Sequence, residues 1–394
     1  MASLQRLLEP PRLRTAEVER AEERHATWLE LFLDLVFVVA IAELGTSLAH
    51  HVSAGGFLRY LALFVPIWWA WAGFTFYATR FDTDDLVYRA MTLLGMFGVA
   101  VLATTVPHAF VGEANGFASA YAAIRIVLVL LYARARRHVP EARALTTWFL
   151  LMFSTAIVFW LISLALASPW KYALWGVALA FELSAPPRAW RLIPQAPIHP
   201  EHIPERFGLL TIIVLGEAVI AVVLGTVNVN WTVLSGTAAF AGFLVAASIW
   251  WTYFEFFDSS VVGRGVFQGM VFVYAHFFVA AGIAALGVGV RLGILSAAPD
   301  DRYSHGGWVV AAGAAVCMTG LGVIQLVTPP TLLDADVLLR FATAAYACVL
   351  AALTNVLSPI LIVWLLVAAL VGQVVYELLT HEERHGAAAR AAAD

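Results

Sequence analysis

A polytopic α-helical membrane fold is what this chain predicts, and three observations predict it. Hydrophobic residues make up 61% of the 394 residues and charged residues only 13%, with a mean hydropathy of +0.83. A soluble domain needs more charge than that to cover its surface. The apolar stretches are continuous and reach the roughly 20 residues that a helix needs to cross the hydrocarbon core. They do not alternate with period two, which excludes a barrel, the other form that satisfies every backbone group in lipid.

Reading each apolar run against its breakers gives about twelve helices. The first six are expected near 27–49, 57–79, 86–107, 117–133, 145–167 and 169–184. The second six are expected near 206–227, 232–257, 265–290, 306–327, 337–353 and 356–379. The sixth is short and ends against Pro186-Pro187, which makes it the weakest span. Asn355 and Ser358-Pro359 form a tight turn between the last two. Arg80–Asp85, Arg134–Arg143, Arg188–Glu201 and Pro299–His305 supply polar punctuation.

Basic residues orient the spans. With both termini cytoplasmic, 18 of the 23 Lys and Arg fall on inside segments. Arg59, Lys171, Arg291 and Arg302 fall outside, and Arg125 lies within a span. That asymmetry follows the positive-inside rule, and an odd number of spans in either half would scramble it. The chain then divides into a cytoplasmic N-terminal segment 1–26, a six-helix repeat 27–185, a cytoplasmic linker 186–205, a second repeat 206–380 and a cytoplasmic tail 381–394. The first 25 residues are charged and lack an apolar core, so no cleavable signal is expected there. Residues 15–25 have the composition of a solvated helix.

The repeat assignment rests on three matched positions. Glu30-Leu31-Phe32 opens the first span and Glu205-Arg206-Phe207 the seventh. Ile67-Trp68-Trp69 lies midway along the second span and Ile249-Trp250-Trp251 along the eighth; Phe81-Asp82 and Phe257-Asp258 end them. Doubled Trp is rare enough to lift the match above chance pairing of aliphatic runs. Six helices per repeat is an even number, so both repeats face the same way, as in parallel-repeat transporters with a pathway between halves.

A charge at membrane depth costs a few kcal/mol even on lenient scales, so each one needs a reason. Glu30 and Asp34 lie four apart on one helix face. Glu30 also suits a helix N-terminus, where the dipole favours an anion. Glu43 lies nearer the other leaflet. Glu217 is mid-span, beyond snorkelling reach, and must be protonated, paired or facing water. Arg125 has the same problem with a charge it cannot shed, so an Arg125–carboxylate pair is expected, with Glu217, Glu43 or Asp34 as partner. A second cluster combines Glu255 and Asp258 with Arg264, Gln268 and the deep His276, which could relay protons or simply donate one interhelical hydrogen bond. Trp68, Trp69, Trp71, Trp250 and Trp251 lie too deep for an interfacial belt alone, and helix packing is their simplest role.

Other chemistries find no support. Cys317 and Cys348 carry no ligand spacing, and His50-His51, His199 and His202 lack an acidic or Cys partner at ligand spacing, so neither a metal nor a disulfide framework is expected. Phosphate-loop, nucleophile-elbow and nucleic-acid signatures are missing, and no cofactor is called for.

The segment Glu30-Leu31-Phe32-Leu33-Asp34-Leu35-Val36-Phe37 resembles the opening of the bacterial low temperature requirement protein A (LtrA) family. Glu205-Arg206-Phe207-Gly208 through Gly216-Glu217 and the Tyr274–His276 pattern with Gly282 are similar to it as well. The resemblance covers most of the chain and implies a multi-span protein of the bacterial inner membrane. A fainter similarity links Phe32-Leu33-Asp34 and Val36-Phe37 to the six-plus-six-helix potassium channels of endolysosomes and bacteria. Leu33 replaces their Ser and Trp28 their Arg, which argues against potassium conduction. The expectation is a transporter or channel-like protein for a small solute or cation, with the lipid bilayer as its surroundings and homo-oligomer formation left open. Asp34 and Glu217 would be its pathway residues, Arg125 their counter-charge and His276 a proton partner. The alternative is an intramembrane enzyme or a cofactor- or lipid-binding protein in which Glu217, His276 and Glu255 supply acid–base groups. A scaffold without a pathway is a third reading.

Overall fold

The computed structural model describes residues 9–14, 27–82, 84–110, 112, 114–198, 202–255, 262, 264–297, 306–327 and 335–391. Twelve α-helices run through them: α1 Trp28–His50, α2 Ala54–Arg80, α3 Leu86–Thr105, α4 Ala114–His138, α5 Arg143–Ser163 and α6 Trp170–Arg188, followed by α7 His202–Val227, α8 Val233–Phe254, α9 Val266–Leu295, α10 Gly307–Leu326, α11 Ala335–Ala352 and α12 Pro359–Ala391. Eleven of them are long and apolar enough to cross a membrane. The exception is α6, the span that the sequence marks as weakest. Its 19 residues reach about 28 Å at 1.5 Å per residue, nearly the hydrocarbon thickness. Lys171, Glu182 and the closing Pro186-Pro187-Arg188 lower its apolarity.

Local chemistry fixes the helix ends. Thr27 caps α1: its N–H donates to Glu30 Oε2 at 2.8 Å and its Oγ1 accepts from the Glu30 N–H at 3.3 Å. This reciprocal capping box satisfies two donors that the helix itself cannot. Asp85 caps α3 by accepting from the Val87 and Tyr88 N–H groups. Thr232 and Ser235 form another capping box at α8. Pro66 sits inside α2, where it removes the N–H that would otherwise bond the Ala62 carbonyl. A two-residue strand, β1 (Arg12–Leu13), pairs antiparallel with β2 (Phe81–Asp82) and ties the N-terminal segment to the end of α2. Residues 1–8 and 15–26 of that segment, and with them the helix expected at 15–25, lie outside the described residues.

The chain forms two compact units. The first comprises Met1–Ser47, Leu58–Leu210 and Val262–Met270; the second comprises Leu48–Phe57, Thr211–Val261 and Val271–Asp394. In the first, α3, α4, α5 and α6 pack in sequence as antiparallel neighbours. Its core is strongly aromatic: Trp68, Trp69 and Trp71 are buried on α2, and Tyr121, Trp160 and Trp175 meet between α4, α5 and α6. In the second unit α10 packs on α11 and α12, and α8 packs on α12. There α9 and α10 approach so closely that a Cβ at Gly282 or Gly289 would lie within 2.4 Å of the Cys317 or Val310 backbone nitrogen. Small residues allow such backbone contact, and lipid provides no hydrophobic drive to replace it. The two Trp pairs have unlike surroundings: Trp68 and Trp69 are buried, whereas Trp250 and Trp251 are about 40% exposed. The expectation that all five deep Trp fill helix packing therefore holds only for α2.

Candidate functional site

The buried charges are organised as pairs between helices. Asp34, one and a half turns into α1, is fully buried. Its Oδ1 accepts from the Trp71 indole N–H of α2 and from Arg206 Nη2 of α7, both at 2.7 Å. The same Nη2 also reaches the Glu30 carbonyl at 3.4 Å. Phe207 packs edge-on against Trp71 with ring centroids 4.8 Å apart. Three helices thus converge on one carboxylate oxygen, and the acidic motif of α1 meets the Glu205-Arg206-Phe207 motif of α7. Hydrogen bonds of this charge-assisted kind each contribute about 1.5–3 kcal/mol. Among the described residues Asp34 Oδ2 and Arg206 Nε and Nη1 have no hydrogen-bond partner.

A second centre lies between α4, α5 and α6. Arg125 Nε stands 3.0 Å from Glu182 Oε2, both side chains being fully buried. Tyr121 donates to the same oxygen at 2.7 Å, and the guanidinium lies over the Phe153 ring at 4.5 Å. Gly73 makes room for it, since a Cβ there would fall 2.9 Å from Arg125 Nη1. Arg125 therefore does have its carboxylate, but the partner is Glu182 and not Glu217, Glu43 or Asp34. Glu182 sits in the helix with the least apolar sequence, where a carboxylate reads as a loop neighbour until its partner is seen.

In the second unit Arg340 of α11 pairs with Glu377 of α12. One turn along, the Thr343 hydroxyl donates to Gln373 Oε1 at 2.8 Å, so the two helices share a polar seam. His276 is buried with both ring nitrogens engaged, Nδ1 with the Phe272 carbonyl at 2.7 Å and Nε2 with the Tyr253 hydroxyl at 2.9 Å. A carbonyl only accepts, so Nδ1 donates to Phe272. The Tyr253 contact links α8 to α9, which is the structural reading of this His.

The remaining candidates separate. Glu30 is buried but occupied as the α1 capping residue. Glu43 and Glu217 are half-buried and make no ion pair with any described residue. Glu255 is exposed at the C-terminal end of α8, so it is not part of a buried cluster with His276. Asp258 lies outside the described residues. No group of three His, Cys, Asp or Glu among the described residues could hold a metal ion. Sequence reasoning missed Trp71, Arg206, Glu182, Tyr121 and Glu377 as partners. Only Arg206 had a signal, its place in the α7 motif; the others pair across distances that spacing does not reveal.

The model of the family "Bacterial low temperature requirement A protein (LtrA)" matches residues 25–375. An uncharacterized protein of Rhizobium meliloti (strain 1021) is 29% identical over 287 residues, covering 69% of this chain and 70% of the relative. The matched family region contains every paired residue described above except Glu377.

Proposed function

This chain belongs to the bacterial low temperature requirement A family, and from that premise we propose that it is an inner-membrane transporter for a small solute or cation. In this reading all twelve helices cross, both termini are cytoplasmic, and two parallel six-helix repeats flank the transport pathway. One observation carries the proposal: the fully buried Asp34–Arg206 pair, which uses one carboxylate oxygen and leaves the other without a partner among the described residues. Buried pairs rarely stabilise a fold more than apolar packing would, so a retained pair fits a group that changes partners. The free Oδ2 can accept a cation or a donor group of the substrate without disturbing the Trp71 bond. Glu217, half-buried without an ion pair, is the second pathway carboxylate. The enzyme reading is weaker, because His276 has both nitrogens occupied and Glu255 is exposed.

The test is uptake into proteoliposomes from a panel of cations and small solutes. Asp34→Asn and Glu217→Gln should each lower flux at least about tenfold while the protein still inserts. Wild-type flux in both variants would retire the proposal.

A further inference from the structure

Some arginines near the helix ends of the first unit have a specific partner. Arg89 is paired with Asp84 and Arg134 with Asp85, each at 2.7–2.8 Å, while Arg80 donates to the Ala196 carbonyl at 2.9 Å. One place differs. The C-terminal end of α4, the N-terminal end of α5 and the C-terminal end of α6 lie together: Arg136 Nε donates to Thr147 Oγ1 at 2.7 Å, and the Trp148 indole donates to the Ala185 carbonyl at 2.9 Å. Arg136, Arg137, Arg143, Arg188 and Arg191 are all exposed there, and none makes an ion pair with a described residue. Arg188 meets only the Ser184 hydroxyl. Glu141 is the acidic residue nearest them in sequence. The C-terminal dipoles of α4 and α6, about half a charge each, offset only part of the excess. Between Arg188 and Arg191 stands Trp190, 56% exposed.

We infer that this end of α4, α5 and α6 is a binding site for the headgroup of an anionic phospholipid. Because α4 and α5 are both long and apolar enough to cross, their common end falls at the headgroup layer. The two non-bridging oxygens of a phosphodiester accept the paired N–H donors of a guanidinium fork, and several forks on three helix ends can hold one headgroup from different sides. Trp190 supplies the amphipathic ring that settles at the same depth. The positive-inside rule accounts for the sign of these charges. It does not account for the gathering of five guanidiniums on one set of tied helix ends, with Glu141 beside them, which is what a surface for clustered phosphates requires.

Each basic residue at a membrane surface changes retention roughly fivefold, so losing four should cost at least about a hundredfold. The experiment uses the full-length protein in mild detergent, titrated with phosphatidylglycerol or phosphatidylcholine and read by native mass spectrometry. Phosphatidylglycerol should be retained at least about tenfold better, and the preference should fall as ionic strength rises. The variant R137Q/R143Q/R188Q/R191Q should lose it, and R12Q/R89Q should keep it. If the fourfold variant does not fold, R137Q/R191Q, which leaves the Arg188–Ser184 bond in place, should lose most of the preference. An undiminished preference in the Gln variants overturns the site. Displacement of the lipid by millimolar inorganic phosphate also overturns it, since the site would then serve a soluble anion.

Discussion

Arg125 and Glu182 are not equivalent halves of their pair. A buried carboxylate that loses its partner can take up a proton, but a guanidinium cannot release one. Glu182→Leu leaves a cation in the interior, and stripping one partner from a buried pair costs about 3–5 kcal/mol. Arg125→Met leaves Glu182 with the Tyr121 hydroxyl still beside it, so its cost should be distinctly smaller. The double variant, apolar on both sides, should recover most of the loss. Thermal unfolding in detergent gives the ranking; equal destabilisation by the two single variants would overturn the asymmetry, and an additive double variant would show that the pair is not energetically coupled. Sequence alone reaches half of this: Arg125 stands out in an apolar run and demands a carboxylate. Glu182 does not stand out, since four residues before a double proline it resembles the polar end of a short helix.

Helix pairs in lipid depend on how closely their backbones approach, and α9 and α10 show the strictest case. Gly282 and Gly289 face the Cys317 and Val310 backbones, while Gly313 and Gly320 face α9 in return, each pair seven residues apart. Gly289→Ala would place a methyl 2.1 Å from a backbone nitrogen that no rotamer change can move. The helices must separate, costing at least about 2 kcal/mol by the measure of overpacked cores. Gly216→Ala meets nothing within 4 Å and should be neutral or slightly stabilising, as helix propensity favours Ala. Comparing the two variants by thermal shift checks the seam. The sequence does not show that α10 is the partner of α9, because a stripe of small residues does not name the surface it meets. Trp250 and Trp251 carry the same lesson, since a sequence match to Trp68 and Trp69 does not bring the same burial.

Across the whole molecule, the helix count was legible because crossing lipid needs a length that apolar runs display directly. The pairings were not, since Asp34 and Arg206 are separated by 172 residues. Orientation is checked by single cysteines placed after Cys317→Ala and Cys348→Ser replacement. Ser168→Cys and Asn228→Cys, both at exposed positions, should react with an impermeant maleimide from outside the cell, and Gln195→Cys only after permeabilisation. Labelling of Ser168→Cys and Gln195→Cys from the same side would mean that α6 does not cross. The long separation also shapes biogenesis. At 5–20 residues per second, Asp34 emerges roughly ten to thirty seconds before Arg206 does. Throughout that interval the nascent α1 lacks the guanidinium that meets Asp34 in the folded chain. Until α7 is made, α1 can enter the bilayer with Asp34 protonated, and the ion pair forms only when the seventh helix arrives beside the first.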